Sequence, residues 1–209
     1  GNDPSNPRSL PHDRVAEIFE DRHGRIWAGT QEGLARFDPK TNDFTRFAPN
    51  GGNKHAQLIV KAITSDGADG MWIATWGGLQ HFDPQSAQFT LYTHDPEDPH
   101  SIASNDTNAL VRDEVGGIWI ATWPGGLDYL APGSKKFRHY RIDSPERPDS
   151  KLNISRALHI DAGKNLWIGT EKGVMLLKGG APWEDRYTLD TPASRVNRFY
   201  SDRSGTVWA

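Results

Sequence analysis

The sequence repeats itself. Five tryptophans, Trp27, Trp72, Trp119, Trp167 and Trp208, follow one another at intervals of 45, 47, 48 and 41 residues. Each has an aspartate six positions before it (Asp21, Asp66, Asp113, Asp161 and Asp202) and a glycine-bearing turn between, as in DRHGRIW, DGADGMW, DEVGGIW, DAGKNLW and DRSGTVW. Threonine stands three positions after the first four tryptophans, at Thr30, Thr75, Thr122 and Thr170. A fixed period of this length constrains the fold more than any single element does. One such unit cannot bury its apolar face alone and must stack on its neighbours.

Within each unit the pattern resolves into four short runs. Apolar residues precede the aspartate at Val15/Ile18, Val60/Ile63, Leu110, Leu158 and Val196/Phe199, and the second run carries the tryptophan. Gly33-Leu34, Gly78-Leu79, Gly126-Leu127 and Gly173-Val174 open a third, which ends at Phe37, Phe82, Leu130 and Leu177. Phe44/Phe47, Phe89/Tyr92 and Phe137/Tyr140 mark a fourth, with Trp183 and Tyr187 as a looser copy. An offset of three residues fits helix and strand alike, so turn chemistry decides. Gly, Asp, Asn or Pro interrupts the pattern every six to ten residues, which suits hairpins and leaves no room for a helix of ordinary length.

A repeated four-stranded antiparallel meander is the unit of a β-propeller. The expected fold is therefore all-β, a single partial propeller over residues 1–209. Its blades are read at about 14–47, 58–92, 105–140 and 154–189, with a half-blade at 195–209. The indoles are expected to fill the space between successive sheets, and the aspartates to accept backbone N–H bonds in their turns. The opening DPSNPRSLPHDRV matches the internal connector DPEDPHSIASNDTN and reads as an inter-blade linker. We expect a piece of a longer protein whose remaining blades partner it, with closure by self-assembly as the alternative. Open sheet edges would also favour self-association.

Composition removes several classes. The net charge of -3 offers no basic field for a phosphate backbone, so no nucleic-acid partner is expected. No run approaches the roughly 18–20 apolar residues of a membrane span, so no membrane contact is expected within this chain. With no cysteine, disulfides, thiol catalysis and Cys-based zinc sites drop out together. The eight histidines form no H-E-x-x-H or paired motif, and DGADG lacks the later ligands of a calcium loop. No nucleophile elbow or phosphate loop occurs. Neither cofactor nor metal nor catalytic residue is assigned.

The repeat consensus V-x-x-I-x-x-D-x-x-G-x-[IL]-W-[IA]-[AG]-T-x-x-G-L-x-x-F-D-P resembles the two-component regulator propeller repeat over nearly the whole chain. That resemblance implies the extracytoplasmic sensor region of a bacterial hybrid histidine kinase or membrane-bound diguanylate cyclase. Such regions are usually followed by a β-sandwich and a membrane helix, and some sense oligosaccharides. It therefore implies a periplasmic or extracellular, non-enzymatic ligand-sensing module, with the sandwich domain of the parent chain as a partner. Two alternatives stand beside it. The IW-rich repeats are also similar to streptogramin-lyase-like propellers, which are metal-dependent enzymes, and the repeat could serve protein contacts alone.

In such a propeller the loop between second and third strands and the inter-blade linker share one face, commonly the ligand face. Trp76 and Trp123 occupy that loop where other repeats have Gln31 and Glu171. A tryptophan on a surface turn offers a flat apolar face that stacks on a sugar ring. The polar linkers add His55, His94, Asp98, His100, Asn105, Asn108 and Arg156 as candidate ligand contacts. For each of these the competing reading is a turn-building or solvated residue.

Overall fold

In a computed structural model of the chain, residues 1–49, 54–142, 155–179, 187–189 and 195–209 are described. The alternating runs form strands. The first sheet is β1 (Val15–Glu20), β2 (Ile26–Thr30), β3 (Gly33–Asp38) and β4 (Asp43–Phe47). A short helix, α1 (Lys54–Leu58), leads into β5 (Val60–Ser65), β6 (Met71–Thr75), β7 (Gly78–Asp83) and β8 (Gln88–Tyr92). The third sheet holds β9 (Asp106–Arg112), β10 (Ile118–Trp123), β11 (Gly126–Leu130) and β12 (Phe137–Tyr140). The fourth holds β13 (Ser155–Ile160), β14 (Leu166–Thr170), β15 (Gly173–Leu177) and β16 (Tyr187–Leu189). β17 (Tyr200–Ser201) and β18 (Val207–Trp208) form a fifth, two-stranded sheet. Strands in every sheet pair with their sequence neighbours, so each is a meander. The sequence did not point to α1. It lies in the linker before β5, where Gln80 Nε2 donates to the Gln57 carbonyl at 2.9 Å.

The register repeats with the sequence. Val15, Val60 and Ser155 stand opposite Thr30, Thr75 and Thr170, and a bulge follows each of these three residues. Each threonine hydroxyl braces its own β-turn. Thr30, Thr75 and Thr170 Oγ1 donate to the carbonyls of Gly33, Gly78 and Gly173 at 2.9, 2.7 and 3.1 Å. The glycines at these turns carry φ values of 110°, 123° and 116°, which L side chains rarely adopt, so the residue type follows from the turn.

The chain divides into two compact units, Gly1–Thr93 with Asn105–Thr107, and His94–Ser104 with Asn108–Ala209. The first has a core of Trp27, Leu34, Val60, Ile63, Met71, Ile73 and Phe82 drawn from the first two sheets. Trp27 is fully buried, its ring centroid 5.6 Å from Phe82 of the neighbouring sheet and 5.4 Å from Phe47. Here the indole wedges one sheet on the next. The second unit has its own core, in which Ala121 and Leu127 of the third sheet meet Leu166, Ile168, Met175 and Leu177 of the fourth.

The indoles are not equally buried. Trp72, Trp119 and Trp167 are half-buried, and Trp208 is 60% exposed. The expectation that all five indoles lie between sheets is corrected at Trp208, whose hairpin has two strands and so supplies fewer neighbours. Trp183 and the linker residues 143–154 lie outside the described residues, as do the side chains of Tyr187 and His55.

Candidate functional site

The aspartates have one structural job, done in two ways. In all five turns the aspartate N–H donates to the carbonyl four residues on, at 2.9–3.1 Å. The carboxylate also accepts backbone N–H groups of its turn, from His23 and Arg25 at Asp21 and from Gly117 at Asp113. The second oxygen then reaches a side chain. At Asp21, Asp161 and Asp202 it accepts the indole N–H six residues on, at 2.7, 2.7 and 3.0 Å. At Asp66 and Asp113 it bonds instead to His81 Nε2 and Tyr129 Oη, both at 2.9 Å.

A glycine explains the exchange. His81 and Tyr129 stand directly across the sheet from Trp72 and Trp119. They reach the aspartate over Gly70 and Gly117, where an added Cβ would collide with His81 Nε2 and Tyr129 Oη. Where the bonded side chain is the indole, the same turn position holds Arg25, Asn165 or Thr206. Sequence reasoning recognised the aspartates but missed His81 and Tyr129. The pairing of a glycine at this position with a polar residue on the third strand was the available signal.

Electrostatics follow the bonds. Burial works to raise the Asp21 and Asp161 carboxyls, but the bonds from Trp27 and Arg25, and from Asn165 and Trp167, outweigh it and hold both below the ordinary range. Bonds from Ser204 and Trp208 take Asp202 down to about 2. Burial and the bond to Asp113 push Tyr129 up to about 12. A depressed carboxyl adds stability that is present above its unfolded pKa and lost as pH falls through the folded value. Asp161→Asn is expected to cost about 1–2 kcal/mol at neutral pH and less at pH 2, read from urea midpoints at the two pH values. An equal loss at both would contradict the charge-based account.

The two linkers related in sequence are also related atom by atom. In residues 2–10, Asp3 N donates to Ser9 Oγ at 2.8 Å and Ser9 Oγ donates back to Asp3 O at 2.9 Å. In residues 94–102, Asp95 N and Ser101 Oγ make the same reciprocal pair at 2.9 and 3.0 Å. The carbonyls of Arg8 and His100 accept the Phe44 and Phe137 amides at the outer strands β4 and β12. These straps place three of the candidate contacts together in the second unit, each with a structural partner. His94 Nδ1 is bonded with the Ile102 carbonyl at 2.9 Å, Asp98 Oδ1 accepts the His100 amide at 2.9 Å, and the His100 carbonyl is used on β12.

The remaining candidates scatter. Arg156 pairs with Glu171, which lies 3.6 Å from Arg195 as well. Asn108 is half-buried on β9 of the second unit, and Asn105 is exposed in the first. Trp76 and Trp123 are different in kind, as large apolar side chains left 49% and 47% exposed. Trp76, in the first unit, has Lys61 Nζ 4.5 Å from its ring centroid. Trp123, in the second, is joined to Pro124 by a cis peptide bond, and its carbonyl accepts Ser104 Oγ from the strap at 2.7 Å. Linker and inter-strand turn thus meet at one end of the third sheet. Among the described residues no group of three or more His, Asp or Glu is placed to hold a metal ion.

Residues 9–32 match the family model described as two component regulator propeller. That segment is similar to the regulator propeller repeat. A similar architecture extends along the chain, because the extracellular domain of a hybrid two component system from B. thetaiotaomicron superposes with a TM-score of 0.79 at 26% identity. That match covers 96% of this chain and 28% of the other. A second extracellular domain of a hybrid two component system from the same organism gives 0.71 at 17% identity, covering 97% and 33%. Virginiamycin B lyase from Staphylococcus aureus gives 0.67 at 14% identity, covering 93% and 63%, and shares the fold. The all-β blade reading of the sequence is thus confirmed, and the chain spans about a third or less of the two-component domains it matches. No curated protein matches the sequence.

Proposed function

We propose that this chain is part of the extracytoplasmic ligand-sensing region of a bacterial two-component-type receptor, and that it binds oligosaccharide through exposed indoles, Trp76 in the first unit and Trp123 in the second, each as a contact of its own. The observation that carries the reading is the likeness, along 96% of this chain, to the extracellular domain of a hybrid two component system, together with two indoles left half-exposed at the repeat-breaking ends of β6 and β10. An indole face stacks on the C–H face of a pyranose, and neighbouring polar groups bond its hydroxyls. Binding becomes signalling only where the ligand has different affinity for two arrangements of the receptor. Binding, with no chemical turnover, is the activity assigned.

The test is calorimetric titration of the intact receptor region with a panel of defined oligosaccharides, comparing wild type with Trp76→Ala and Trp123→Ala. Each substitution is expected to weaken the best binder by about 0.5–1.5 kcal/mol, or roughly 2- to 10-fold, while leaving the thermal midpoint in place. Undiminished affinity in both variants would reject the aromatic contact, and absence of any glycan binder would reject the ligand class.

A further inference from the structure

The strap over the third blade is held by an ionisable pair. His139, on β12, lies with Nδ1 2.7 Å from Asp128 Oδ1 and Nε2 3.0 Å from the carbonyl of Pro99. Asp128 sits on β11 directly across from His139 and is fully buried, and its other oxygen accepts the Ala103 amide at 2.7 Å. One carboxylate therefore ties the strap at two points, Ala103 directly and Pro99 through His139. A peptide carbonyl can only accept, and an ionised carboxylate can only accept. For His139 to bond both partners at once, the pair must hold one proton beyond that of a neutral imidazole facing a carboxylate. Either that proton completes the imidazolium, or it rests on Asp128, which then donates to Nδ1 while Nε2–H serves Pro99.

We propose that His139 and Asp128 form a proton-dependent latch on residues 94–104, closed while the pair holds its shared proton and released at Pro99 when the proton leaves. A neutral imidazole has a single N–H, so it serves Asp128 or Pro99 but not both. The first blade supplies the contrast. There Arg46 takes the place of His139, donating from Nε to the Ser9 carbonyl at 2.8 Å and from Nη2 to the Asn6 and Leu10 carbonyls at 3.0 and 3.1 Å. Its cross-strand neighbour is Ala35 in place of Asp128. A guanidinium stays charged throughout the accessible pH range. The strap at residues 2–10 is held by a fixed charge, and that at 94–104 by a removable proton.

Burial raises the Asp128 carboxyl although its bonds from His139 and Ala103 pull the other way. A raised folded pKa means that the associated stability is present at low pH and lost as pH rises, so the window lies above the ordinary carboxylate value of about 3.9. The other titratable or charged groups of the packed elements are His94, Asp95, Glu97, Asp98 and His100 on the strap, Tyr129 on β11, and Arg138 and Tyr140 on β12. His94 acts on the Asp128 carboxyl through its charge, and its Nδ1 is engaged by Ile102.

Amide hydrogen exchange on the full chain from pH 5 to 9, corrected for intrinsic rates, reads both straps together. Protection of the Phe137 amide, whose acceptor is the His100 carbonyl beside Pro99, is expected to fall about tenfold across that range, the scale of one charge-assisted bond, while the Ala103 amide, still accepted by Asp128, and the Phe44 amide of the first strap hold theirs. His139→Arg copies the first strap and should remove the pH dependence. His139→Gln should leave low protection at every pH. Equal response of the two straps, or a response that persists in either variant, would overturn the latch.

Discussion

Replacing Trp27 by alanine is expected to cost about 3–5 kcal/mol, the range for a fully buried aromatic. Three losses coincide at this residue. The ring leaves its contacts with Phe47 and with Phe82 of the next sheet, a cavity opens in the core of the first unit, and Asp21 loses its indole donor at 2.7 Å. Trp208→Ala is the control, since the same repeat position is 60% exposed there and should cost under about 1 kcal/mol. Urea midpoints of the two variants check the contrast, and similar losses would contradict a role set by burial between sheets.

Gly29→Ala is expected to cost about 1–3 kcal/mol through overpacking alone. Gly29 is not among the residues with positive φ, so its residue type is set by space. An added Cβ would overlap Val60 Cγ1 and lie 3.1 Å from Ile63 Cδ1, both on the first strand of the next sheet. The repeats show the compensation. Where the residue two after the tryptophan is Gly29 or Gly169, the next repeat has Val60 or Val196 twelve positions before its own tryptophan. Where it is Ala74 or Ala121, that place holds Thr107 or Ser155. At Gly169 an added Cβ would stand 2.9 Å from Val196 Cγ1. Gly29→Ala should therefore cost less than half as much in a Val60→Ser background, which removes a γ-carbon and copies Ser155, read by thermal unfolding of the two backgrounds. An equal cost in both would show that the size match between neighbouring sheets is incidental.

These predictions also mark what could be read from residues alone. The period of the tryptophans, the turn glycines and the β-type alternation were legible because each is imposed locally, by side-chain alternation on a strand or by a positive φ. The partners of the aspartates were legible only in part. Backbone acceptance follows from Asp in a turn, but whether Trp27 or His81 supplies the second donor depends on a glycine and on a residue across the sheet. Candidate ligand contacts fared differently by type. His94, Asp98 and His100 were singled out for polarity, which a bonded strap residue and a ligand contact share, so composition could not separate them. Asp128 and His139 went unnoticed because a charge in GLDYL reads as a solvent-facing strand residue. Its burial arises from a strap that folds over the sheet from more than twenty residues upstream. Trp76 and Trp123 stand out in the sequence because an indole at a turn has no local structural reason to be there, and both are half-exposed.

The most direct test of the stacking account is a double-mutant cycle between Trp27 and Phe82, using Trp27→Ala and Phe82→Leu, the latter copying Leu177 of the fourth repeat. Their rings meet across neighbouring sheets with centroids 5.6 Å apart and planes at 74°. Direct contact predicts a coupling of about 0.5–1.5 kcal/mol in the unfolding free energies. Losses that add to within about 0.3 kcal/mol would mean that the indole does not join one sheet to the next.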